Sequence, residues 1–395
     1  MEAIYNISIW VYLIAIRISA LFNPKAKLWI DGRKDIFERI ERVLKESKNI
    51  VWFHCASLGE FEQGKPIIEA YRLKDPTHKI LLTFFSPSGF EIRKDTQLAN
   101  WVFYLPADTK SNAERFISIV KPIKAVFVKY EFWFNYMNEL KKKEIPFYSV
   151  STIFRDRQTF FKYNWFSKQL HNVNHFFVQD KKSAQLLTSI GFENWTISGD
   201  TRFDSVLSNI QNSKKMPLIK LFSKNKNTII CGSTWPKDET LLIQYIKSHP
   251  KNNYIIAPHE LNNISNLQKQ TNALLYSDAN EDNISTFNIL IIDSIGLLSN
   301  IYQYGDLAYV GGGFGSGIHN ILEAVAFELP VIFGPKYKKS NEAICLINKK
   351  GAISVSNYEE LSTAIHILTA FEKSIALNYI KENRGATKKI LSLIR

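Results

Sequence analysis

Short apolar runs of the kind that form buried strands alternate with helical stretches along most of the chain. The runs are rich in aromatic and β-branched residues, and polar connections separate them. Strands that alternate with helices are typical of parallel sheets covered by helices on both faces. The sequence therefore predicts an α/β fold. The predicted strands are residues 49–56, 79–86, 125–130, 146–150, 175–179, 228–234, 253–260, 288–294, 307–313 and 330–335.

Residues 208–227 interrupt this alternation, because apolar residues thin out there and Ser, Asn and Lys dominate. We predict a linker over 208–227, between a Rossmann-like domain at 46–207 and a second one at 228–395 that ends in terminal helices. In open parallel sheets, ligands bind at the carboxyl ends of the strands. We therefore expect a substrate cleft between two facing domains.

The first 45 residues differ from the rest. Residues 4–22 are apolar and aromatic except at Asn6 and Arg17, and basic residues follow at 25, 27, 33 and 34. A membrane-spanning helix needs about 20 mostly apolar residues, and basic residues after it keep the following chain in the cytoplasm. The sequence predicts a membrane anchor and basic segment over 1–45, whose helix either spans the bilayer or lies in its surface. A buried first helix of a soluble domain is the alternative.

The charge balance points to an anionic partner. The 395 residues include 50 Lys and Arg against 37 Asp and Glu, a net charge of +13, which suits nucleic acid, a membrane surface or a phosphorylated substrate. Nucleic acid is disfavoured, because the basic residues are scattered rather than arranged in stripes with aromatic platforms. The three cysteines are too few and too dispersed for a disulfide framework or a zinc site, and we predict no metal site.

The first candidate catalytic residue is Glu60, which follows the first predicted strand. Ser57 and Gly59 suit a tight turn into a helix, and a carboxylate at a helix start is stabilised there. Glu60 can act as a general base if burial raises its pKa; a purely electrostatic role at the helix start is the alternative. The stretch from Gly59 to Lys65 resembles a phosphate-binding P-loop, but Pro66 stands where that motif needs a hydroxyl, so we exclude nucleoside triphosphate binding there.

Two further candidates are charged residues at the ends of other predicted elements. Glu131 follows the strand at 125–130, among aromatic residues that are otherwise read as core. An acid is rarely buried after an apolar strand without a purpose. Arg202, in the GDTRFD segment at 199–204, can donate two hydrogen bonds to a phosphate or carboxylate, or else pair with a neighbouring Asp in a surface turn.

The most specific motif is the glycine-rich segment at 311–317, which follows a strand and leads to a predicted helix opening near Asn320. Glycines allow the backbone to approach a ligand closely, and the N–H groups of the helix opening suit a phosphate. Glu323, one turn later, can accept hydrogen bonds from ribose hydroxyls. A glycine-rich turn of structural use is the alternative.

Together these motifs resemble the 3-deoxy-D-manno-octulosonic acid (Kdo) transferases of lipopolysaccharide assembly. The resemblance covers nearly the whole chain, with the motifs in the family's order. It implies a GT-B glycosyltransferase fold, two Rossmann-like domains facing across a cleft, with an N-terminal membrane-associated helix. The motifs are HCASLGE at 54–60, EFWFN at 131–135, GDTRFD at 199–204, GSTW at 232–235 and YVGGGFGSGIHNILEAVAFELPVIFGP at 309–335.

The resemblance also implies the reaction: an inverting transfer of Kdo from CMP-Kdo to a lipid A precursor (lipid IVA), with no metal or other cofactor. The N-terminal domain would bind the acceptor and the C-terminal domain the donor, at the cytoplasmic face of the inner membrane. By the same resemblance, Glu60 is the general base, and Glu131 and Arg202 stabilise the transition state. The implied CMP-binding residues are Pro258, His259, Ile295, Gly296, Leu297, Asn320, Ile321, Leu322 and Glu323.

The chemistry of this reaction fits the candidate residues. A CMP-linked sugar has a good phosphate leaving group, whereas the attacking hydroxyl needs a base. The chain departs from the family at the donor segments: His259 stands where the family often has Arg, the segment at 295–297 lacks the family's acid, and Ile321 replaces a Pro. The alternative function is that of another GT-B enzyme with a UDP-sugar, a hexosyltransferase or an epimerase.

Overall fold

The protein forms two compact α/β units. The computed structural model describes residues 1–368 and 374–394. Unit 1 comprises Met1–Ser205 and Arg384–Arg395, and unit 2 comprises Val206–Asn383. Each unit contains a seven-stranded sheet in which all strand pairs are parallel. The predicted α/β class and the two Rossmann-like halves are confirmed.

The strands of unit 1 are β1 (Ile50–Cys55), β2 (Lys79–Phe84), β3 (Trp101–Tyr104), β4 (Lys124–Val128), β5 (Phe147–Thr152), β6 (His175–Val178) and β7 (Trp195–Ile197). Their order in the sheet is β3-β2-β1-β4-β5-β6-β7. The chain runs outward from β1 to one edge and then from β4 to the other edge. The carboxyl ends of β1 and β4 therefore form a topological switch point, where open α/β sheets bind ligands.

The helices of unit 1 and of the passage to unit 2 are α1 (Glu2–Ser19), α2 (Pro24–Asp31), α3 (Ile36–Leu44), α4 (Leu58–Lys74), α5 (Pro87–Arg93), α6 (Lys110–Val120), α7 (Phe134–Lys142), α8 (Asn164–Gln169), α9 (Lys181–Ser189) and α10 (Arg202–Gln211). They cover both faces of the sheet, so every residue of β1, β4 and β5 is buried. Strands buried on both faces are rich in apolar residues, which explains most of the apolar runs seen in the sequence.

The strands of unit 2 are β8 (Thr228–Thr234), β9 (Asn253–Pro258), β10 (Leu274–Leu275), β11 (Ile289–Ile291), β12 (Leu307–Val310), β13 (Val331–Phe333) and β14 (Ala352–Ser354). Their order is β10-β11-β9-β8-β12-β13-β14, which places the switch point between β8 and β12. The remaining helices are α11 (Pro217–Phe222), α12 (Pro236–Ser248), α13 (Ile264–Thr271), α14 (Leu298–Ile301), α15 (Leu322–Ala326), α16 (Asn341–Asn348), α17 (Tyr358–Leu368), α18 (Ser374–Asn383) and α19 (Ala386–Leu393).

Each of the ten predicted strands matches a strand of the structure, but four strands were not predicted. These four are β3, β7, β10 and β14, and each lies at an edge of its sheet. Edge strands have a neighbour on one side only, and three of these four are at most three residues long. Their apolar pattern is accordingly too short to stand out in the sequence.

The predicted linker over 208–227 is wrong, because this segment belongs to unit 2. The division between the units lies at Ser205 and Val206. Within the segment, Ile219 and Phe222 of α11 are buried, and the backbone N–H of Met216 donates to the Tyr304 hydroxyl at 2.7 Å. This short helix is itself mostly apolar, but Ser, Asn and Lys dominate the segments on both sides of it, and the composition of the whole range therefore hid it.

The predicted domain limits are also wrong at both ends of the chain. The segment 1–45 is not separate from the fold, because Ile36, Ile40 and Leu44 of α3 are buried in the core of unit 1. The C-terminal α19 does not belong to the second domain, because its Ile390 packs in a core cluster of unit 1. The backbone N–H groups of residues 385 and 387 donate to the carboxylate of Asp204, which holds the start of α19.

Helix α1, unlike α3 and α19, is not packed in the core of unit 1. Among the described residues, it is the one helix long and apolar enough to cross a membrane by length and composition. None of its residues is fully buried. The alternative of a buried first helix is therefore wrong.

Candidate active site

Glu60 lies in the first turn of α4, directly after the carboxyl end of β1. The turn is short because β1 ends at Cys55 and α4 begins at Leu58. Gly64, one turn further, lets α4 approach the sheet: a Cβ there would lie 3.0 Å from a Val128 methyl group. Pro66 also lies inside α4 and is buried. The stretch that resembles a P-loop is thus the body of a packed helix, in agreement with its exclusion as a nucleotide site.

The carboxylate of Glu60 is held from two sides. Ser57 Oγ donates to its Oε2, and Lys129 Nζ donates to its Oε1 at 2.9 Å. The Glu60 side chain is only 15% exposed. Burial by itself raises the pKa of Glu60, but the charge of Lys129 and the hydrogen bonds outweigh burial, so this pKa lies below its usual value. Burial therefore does not raise this pKa in the folded protein, and Glu60 is ionised at neutral pH, which is the form that can accept a proton.

Lys129 is a site residue that the sequence did not single out. It follows β4 in the left-handed region of backbone conformation, with φ of 66°. Its carbonyl accepts hydrogen bonds from Ser149 Oγ and Thr152 Oγ1, both at 3.1 Å. These contacts fix the turn that directs the ammonium group to Glu60. A lysine at the end of an otherwise apolar strand is the signal that would have indicated it.

Glu131 lies two residues after Lys129, beside a second buried residue. Its Oε2 is 3.9 Å from Nε2 of His54, too far for a hydrogen bond. His54 is fully buried, its Nδ1 lies 3.1 Å from the carbonyl oxygen of Thr83, and its Nε2 has no hydrogen-bond partner among the described residues. Phe132 packs in the unit 1 core, so the alternative of core packing holds for that aromatic residue. Glu60 and Glu131 thus follow β1 and β4, which are neighbours in the sheet.

Arg202 is the first residue of α10. It pairs with the neighbouring Asp200, which is the alternative given for it in the sequence analysis. Its Nε and Nη2 donate to Oδ2 of Asp200 at 2.8 and 2.6 Å. The preceding Thr201 donates to the carbonyl of Gln63 at 2.6 Å. The segment at 199–204 therefore contacts α4 close to Glu60, although it follows the edge strand β7.

In unit 2, three aromatic rings stack at the carboxyl ends of β8, β9 and β12. The ring of His259 lies 4.7 Å from that of Trp235 and 4.3 Å from that of His319, centre to centre. Trp235 Nε1 donates to His319 Nε2 at 2.9 Å. Burial, followed by the neighbouring His259, lowers the pKa of His319. His259 is a predicted binding residue, whereas Trp235 and His319 were present only inside the quoted motifs.

The glycine-rich segment is closely packed at three glycines and has space for a Cβ at two others. At one of the three, Gly312, a Cβ would lie 2.5 Å from the Gly317 carbonyl oxygen. A Cβ on Gly311 would lie 2.3 Å from the Ser233 carbonyl oxygen, and one on Gly313 would lie 2.6 Å from Cα of Gly334. The closest atoms to a Cβ on Gly315 or on Gly317 lie at 3.4 and 3.5 Å. The structural alternative therefore explains part of the motif, and residues 315–317 are the part open to a ligand.

The helix predicted to open near Asn320 is short. Helix α15 has five residues, so its dipole is weak and the expected phosphate site at its start has less support than a long helix would give. Ile321 and Leu322 are buried in the core, so they can offer a ligand only their backbone. Asn320 Nδ2 donates to Glu323 Oε1 at 3.2 Å, and these two polar side chains are the exposed part of the motif.

The other predicted donor residues lie in loops of unit 2. Pro258 ends β9, next to His259 of the ring stack. Ile295 is 86% exposed, and Gly296 has φ of 93°, which favours glycine. Leu297 caps α14. Within residues 1–368 and 374–394, the search for three or more clustered His, Cys, Asp or Glu side chains found no group suited to a metal.

Comparisons with known proteins agree with this geometry. Residues 34–205 match the family model described as 3-deoxy-D-manno-octulosonic-acid transferase (kdotransferase). A bifunctional glycosyltransferase/methyltransferase of Fusobacterium nucleatum is 27% identical over 369 residues, which are 85% of this chain and 57% of that protein. The 3-deoxy-D-manno-octulosonic acid transferase of Rickettsia bellii is 26% identical over 373 residues, which cover 89% of this chain and 88% of that protein.

Solved structures similar to the chain include UDP-GlcNAc 2-epimerase from Neisseria meningitidis. Its TM-score is 0.60 at 14% identity, with 87% of this chain and 98% of that chain covered. MurG of Acinetobacter baumannii has a TM-score of 0.53 at 11% identity, over 88% of this chain and 99% of that chain. At these identities the likeness shows the fold alone, which is GT-B. Residues 34–205 thus match the Kdo transferase family, and most of the chain is similar in sequence to a Kdo transferase of Rickettsia bellii.

Proposed function

We propose that the protein transfers Kdo from CMP-Kdo to a lipid A precursor, lipid IVA, with inversion at the anomeric carbon and without a metal. The observation that carries this proposal is the ionised carboxylate of Glu60, held by Lys129 and Ser57 at the switch point of unit 1. The match to the Kdo transferase family model and the similarity to Kdo transferases support Kdo as the sugar. The donor nucleotide and the acceptor are the proposed parts.

Glu60 acts as the general base in this proposal. A hydroxyl of the acceptor gives its proton to a carboxylate oxygen of Glu60 as it attacks the anomeric carbon of Kdo. The new C–O bond forms while the bond from that carbon to the CMP phosphate oxygen breaks, and CMP leaves with the electron pair. Lys129 keeps Glu60 ionised before the reaction, and its charge offsets the carboxylate's in the resting enzyme.

The donor is assigned to unit 2. The stacked rings of Trp235, His259 and His319, the open glycines at 315–317 and the Asn320–Glu323 pair lie at the strand ends where α/β sheets bind ligands. Glu131 and Arg202 are expected to stabilise the transition state, by the resemblance described above. Arg202 donates to Asp200 through Nε and Nη2, and a guanidinium has five N–H donors in all, so phosphate binding by Arg202 is compatible with this pair.

The acceptor is a lipid, so we also propose that the protein works at the cytoplasmic face of the inner membrane, held there by its N-terminal segment. Helix α1 exposes apolar side chains to solvent, which supports contact with a membrane. The net charge of +13 suits an anionic surface and an acidic donor.

The test is mass spectrometry of lipid IVA after incubation with CMP-Kdo and the purified full-length protein. The expected product carries added Kdo, and its mass gives the number of units. The Glu60→Gln variant is expected to lose about 10²- to 10⁴-fold in rate, which is the usual contribution of general-base catalysis. Its CMP binding, measured by calorimetry, is expected to stay unchanged.

Glu62→Gln is the matched control, because Glu62 lies on the same helix and pairs with Arg93 instead. Full activity of Glu60→Gln would contradict the role of Glu60. Tight binding of UDP without binding of CMP would favour the alternative of a UDP-sugar enzyme.

A further inference from the structure

Helix α1 has one face docked on unit 1 and one face exposed to solvent. The exposed face carries an apolar stripe at spacings of three and four residues, and each side chain in it is 54–76% exposed. This spacing places them along one side of the helix and its last turn. We define the outer stripe of α1 as Ile4, Ile7, Val11, Ile14, Ile18 and Leu21.

The opposite face is fixed by polar and aromatic contacts. The Tyr5 hydroxyl donates to Oδ2 of Asp108, a buried carboxylate. Asn135 Nδ2 donates to Oδ1 of Asn6 at 3.0 Å. Two turns later, the ring of Tyr12 meets that of Trp29 edge to face, with centres 5.9 Å apart. The helix is therefore attached to unit 1 along its length.

Charged residues of unit 1 surround the docked face. A groove beside α1 is lined by Arg33, Lys34, Asp35, Glu38 and Lys110 together with apolar residues of the helix. If α1 crossed a bilayer in this position, these charges would enter the hydrocarbon region, where charged groups are costly. If α1 left unit 1 to cross alone, the buried carboxylate of Asp108 would lose a hydrogen-bond donor.

From these contacts we propose that α1 lies in the plane of a membrane leaflet that contains anionic phospholipid, with the outer stripe in the acyl region and the other face docked on unit 1. The helix does not cross the bilayer. This inference deepens the membrane contact of the proposed function, but it rests on the contacts of α1 and not on Kdo transfer.

The charge around the end of α1 suits an anionic leaflet. Between positions 17 and 34 the chain has five basic residues and one acid, Asp31. Arg17, Lys25 and Lys27 are exposed and form no ion pair in the part of the chain that the structure describes. Basic residues beside an in-plane apolar helix are typical of helices that bind anionic lipid surfaces.

A second copy of the chain fits the exposed face less well than a leaflet. The stripe has the spacing of a coiled-coil seam, but Trp10 beside it is also 57% exposed, and Glu2 and Arg17 are the charged residues of α1. A seam would leave apolar side chains in water without the flanking charges that coiled coils use. A leaflet covers all of them.

The first experiment measures on which side of the membrane α1 begins. Single-cysteine variants Glu2→Cys and Lys25→Cys are made in a Cys345→Ser background, since Cys55 and Cys231 are buried. Sealed inverted inner-membrane vesicles from expressing bacterial cells are treated with an impermeant maleimide. Equal labelling of both variants without detergent is expected. Labelling of Lys25→Cys alone, with Glu2→Cys labelled only after detergent, would overturn the proposal.

The second experiment measures the contact itself by flotation of the purified full chain with vesicles. Flotation is expected with mixed phosphatidylcholine and phosphatidylglycerol, with a loss of binding in pure phosphatidylcholine. Ile7→Asp/Ile14→Asp is expected to abolish flotation. The matched control is Leu73→Asp/Ile92→Asp, which changes two apolar residues of unit 1 that are 86% and 58% exposed, and it is expected to float like the parent.

Two results of the second experiment would overturn the proposal. One is flotation of the Ile7→Asp/Ile14→Asp variant at the level of its control. The other is a dimer in light scattering without vesicles that the same variant converts to a monomer, because the outer stripe would then pair with a second copy. Neither readout depends on Kdo transfer, so failure of this proposal and failure of the proposed function are distinguishable.

Discussion

The pair of Lys129 and Glu60 sets both the charge of the proposed base and part of the stability of unit 1. Lys129→Met removes the ammonium group and keeps an unbranched side chain. The Lys129 and Glu60 side chains are only 24% and 15% exposed, so water replaces the lost donor poorly. A hydrogen bond to a charged group contributes about 1.5–3 kcal/mol. For a unit of this size, that loss corresponds to a decrease in Tm of roughly 3–12 °C at neutral pH.

The pH dependence of this loss has a definite sign. Because the folded-state pKa of Glu60 lies below its usual value of 4.5, the pair stabilises unit 1 fully above about pH 4.5, and this stabilisation is lost as the pH falls through the folded-state pKa. The difference in Tm between the parent and Lys129→Met should therefore shrink at low pH. Without Lys129, burial remains the largest influence and the pKa of Glu60 should rise. The acid limb of kcat/KM should then move to higher pH.

The assay is thermal unfolding of four proteins at neutral and acidic pH: the parent, Lys129→Met, Glu60→Gln and the double variant. The double-mutant cycle isolates the coupling between the two side chains. We expect coupling at neutral pH and its loss in acid. A coupling of zero at neutral pH, or one that is the same in acid, would refute the reasoning.

Three other changes test separate parts of the structure. Gly313→Ala should lower the Tm of unit 2 by roughly 2–12 °C, because the added Cβ overpacks the backbone. Gly315→Ala should leave this Tm unchanged, because there is space for a Cβ at that position. Equal Tm values of the two variants in calorimetry would contradict this prediction. In His319→Gln, the Tm should fall less steeply than in the parent protein as the pH drops below about 6.5. The reason is that the pKa of His319 is lowered in the folded protein, so protonation of His319 destabilises the fold. The same dependence of Tm on pH in both proteins would count against this prediction. Tyr5→Phe should lower the free energy of unfolding by about 1–3 kcal/mol, because the buried carboxylate of Asp108 loses one hydrogen-bond donor. The backbone amides of α1 should then exchange hydrogen faster. Unaltered exchange would argue against the docking of α1 on unit 1.

The interior of each sheet could be predicted from the sequence, and its edges could not. β1 and β4 are buried along their whole length, so their sequences are mostly apolar runs, broken by His54 in β1 and by Lys124 at the start of β4. β10 has two residues and β14 three, and such short segments carry no period. The packed helix α11 was predicted as part of a linker, because its few buried residues are surrounded by polar ones and only the tertiary structure brings them to unit 2.

Site residues that directly follow an apolar strand could be predicted from the sequence. Glu60 and Glu131 each follow an apolar strand, and parallel strands bring their carboxyl ends to one edge of the sheet. The position of Lys129 after an apolar strand was a usable signal, but its contact with Glu60 and the ring stack of unit 2 could not be predicted, since both depend on side chains that meet across neighbouring strands. The lowered pKa of Glu60 could not be predicted for the same reason, because it depends on the charge of Lys129, which follows the neighbouring strand.

The return of α19 to unit 1 bears on how the chain folds during its synthesis. In sequence, unit 2 is an insertion between Ser205 and Arg384 of unit 1. Ribosomes add about 5–20 residues per second, so the last helix of unit 1 is synthesised roughly 10–35 s after Asp204, which holds its start, and later still after the helix α4 that it contacts. Until then, the carboxylate of Asp204 and the apolar surface under Ile390 lack their partners. Unit 1 starts first and is completed last, so its nascent form depends on the prompt folding of the inserted unit.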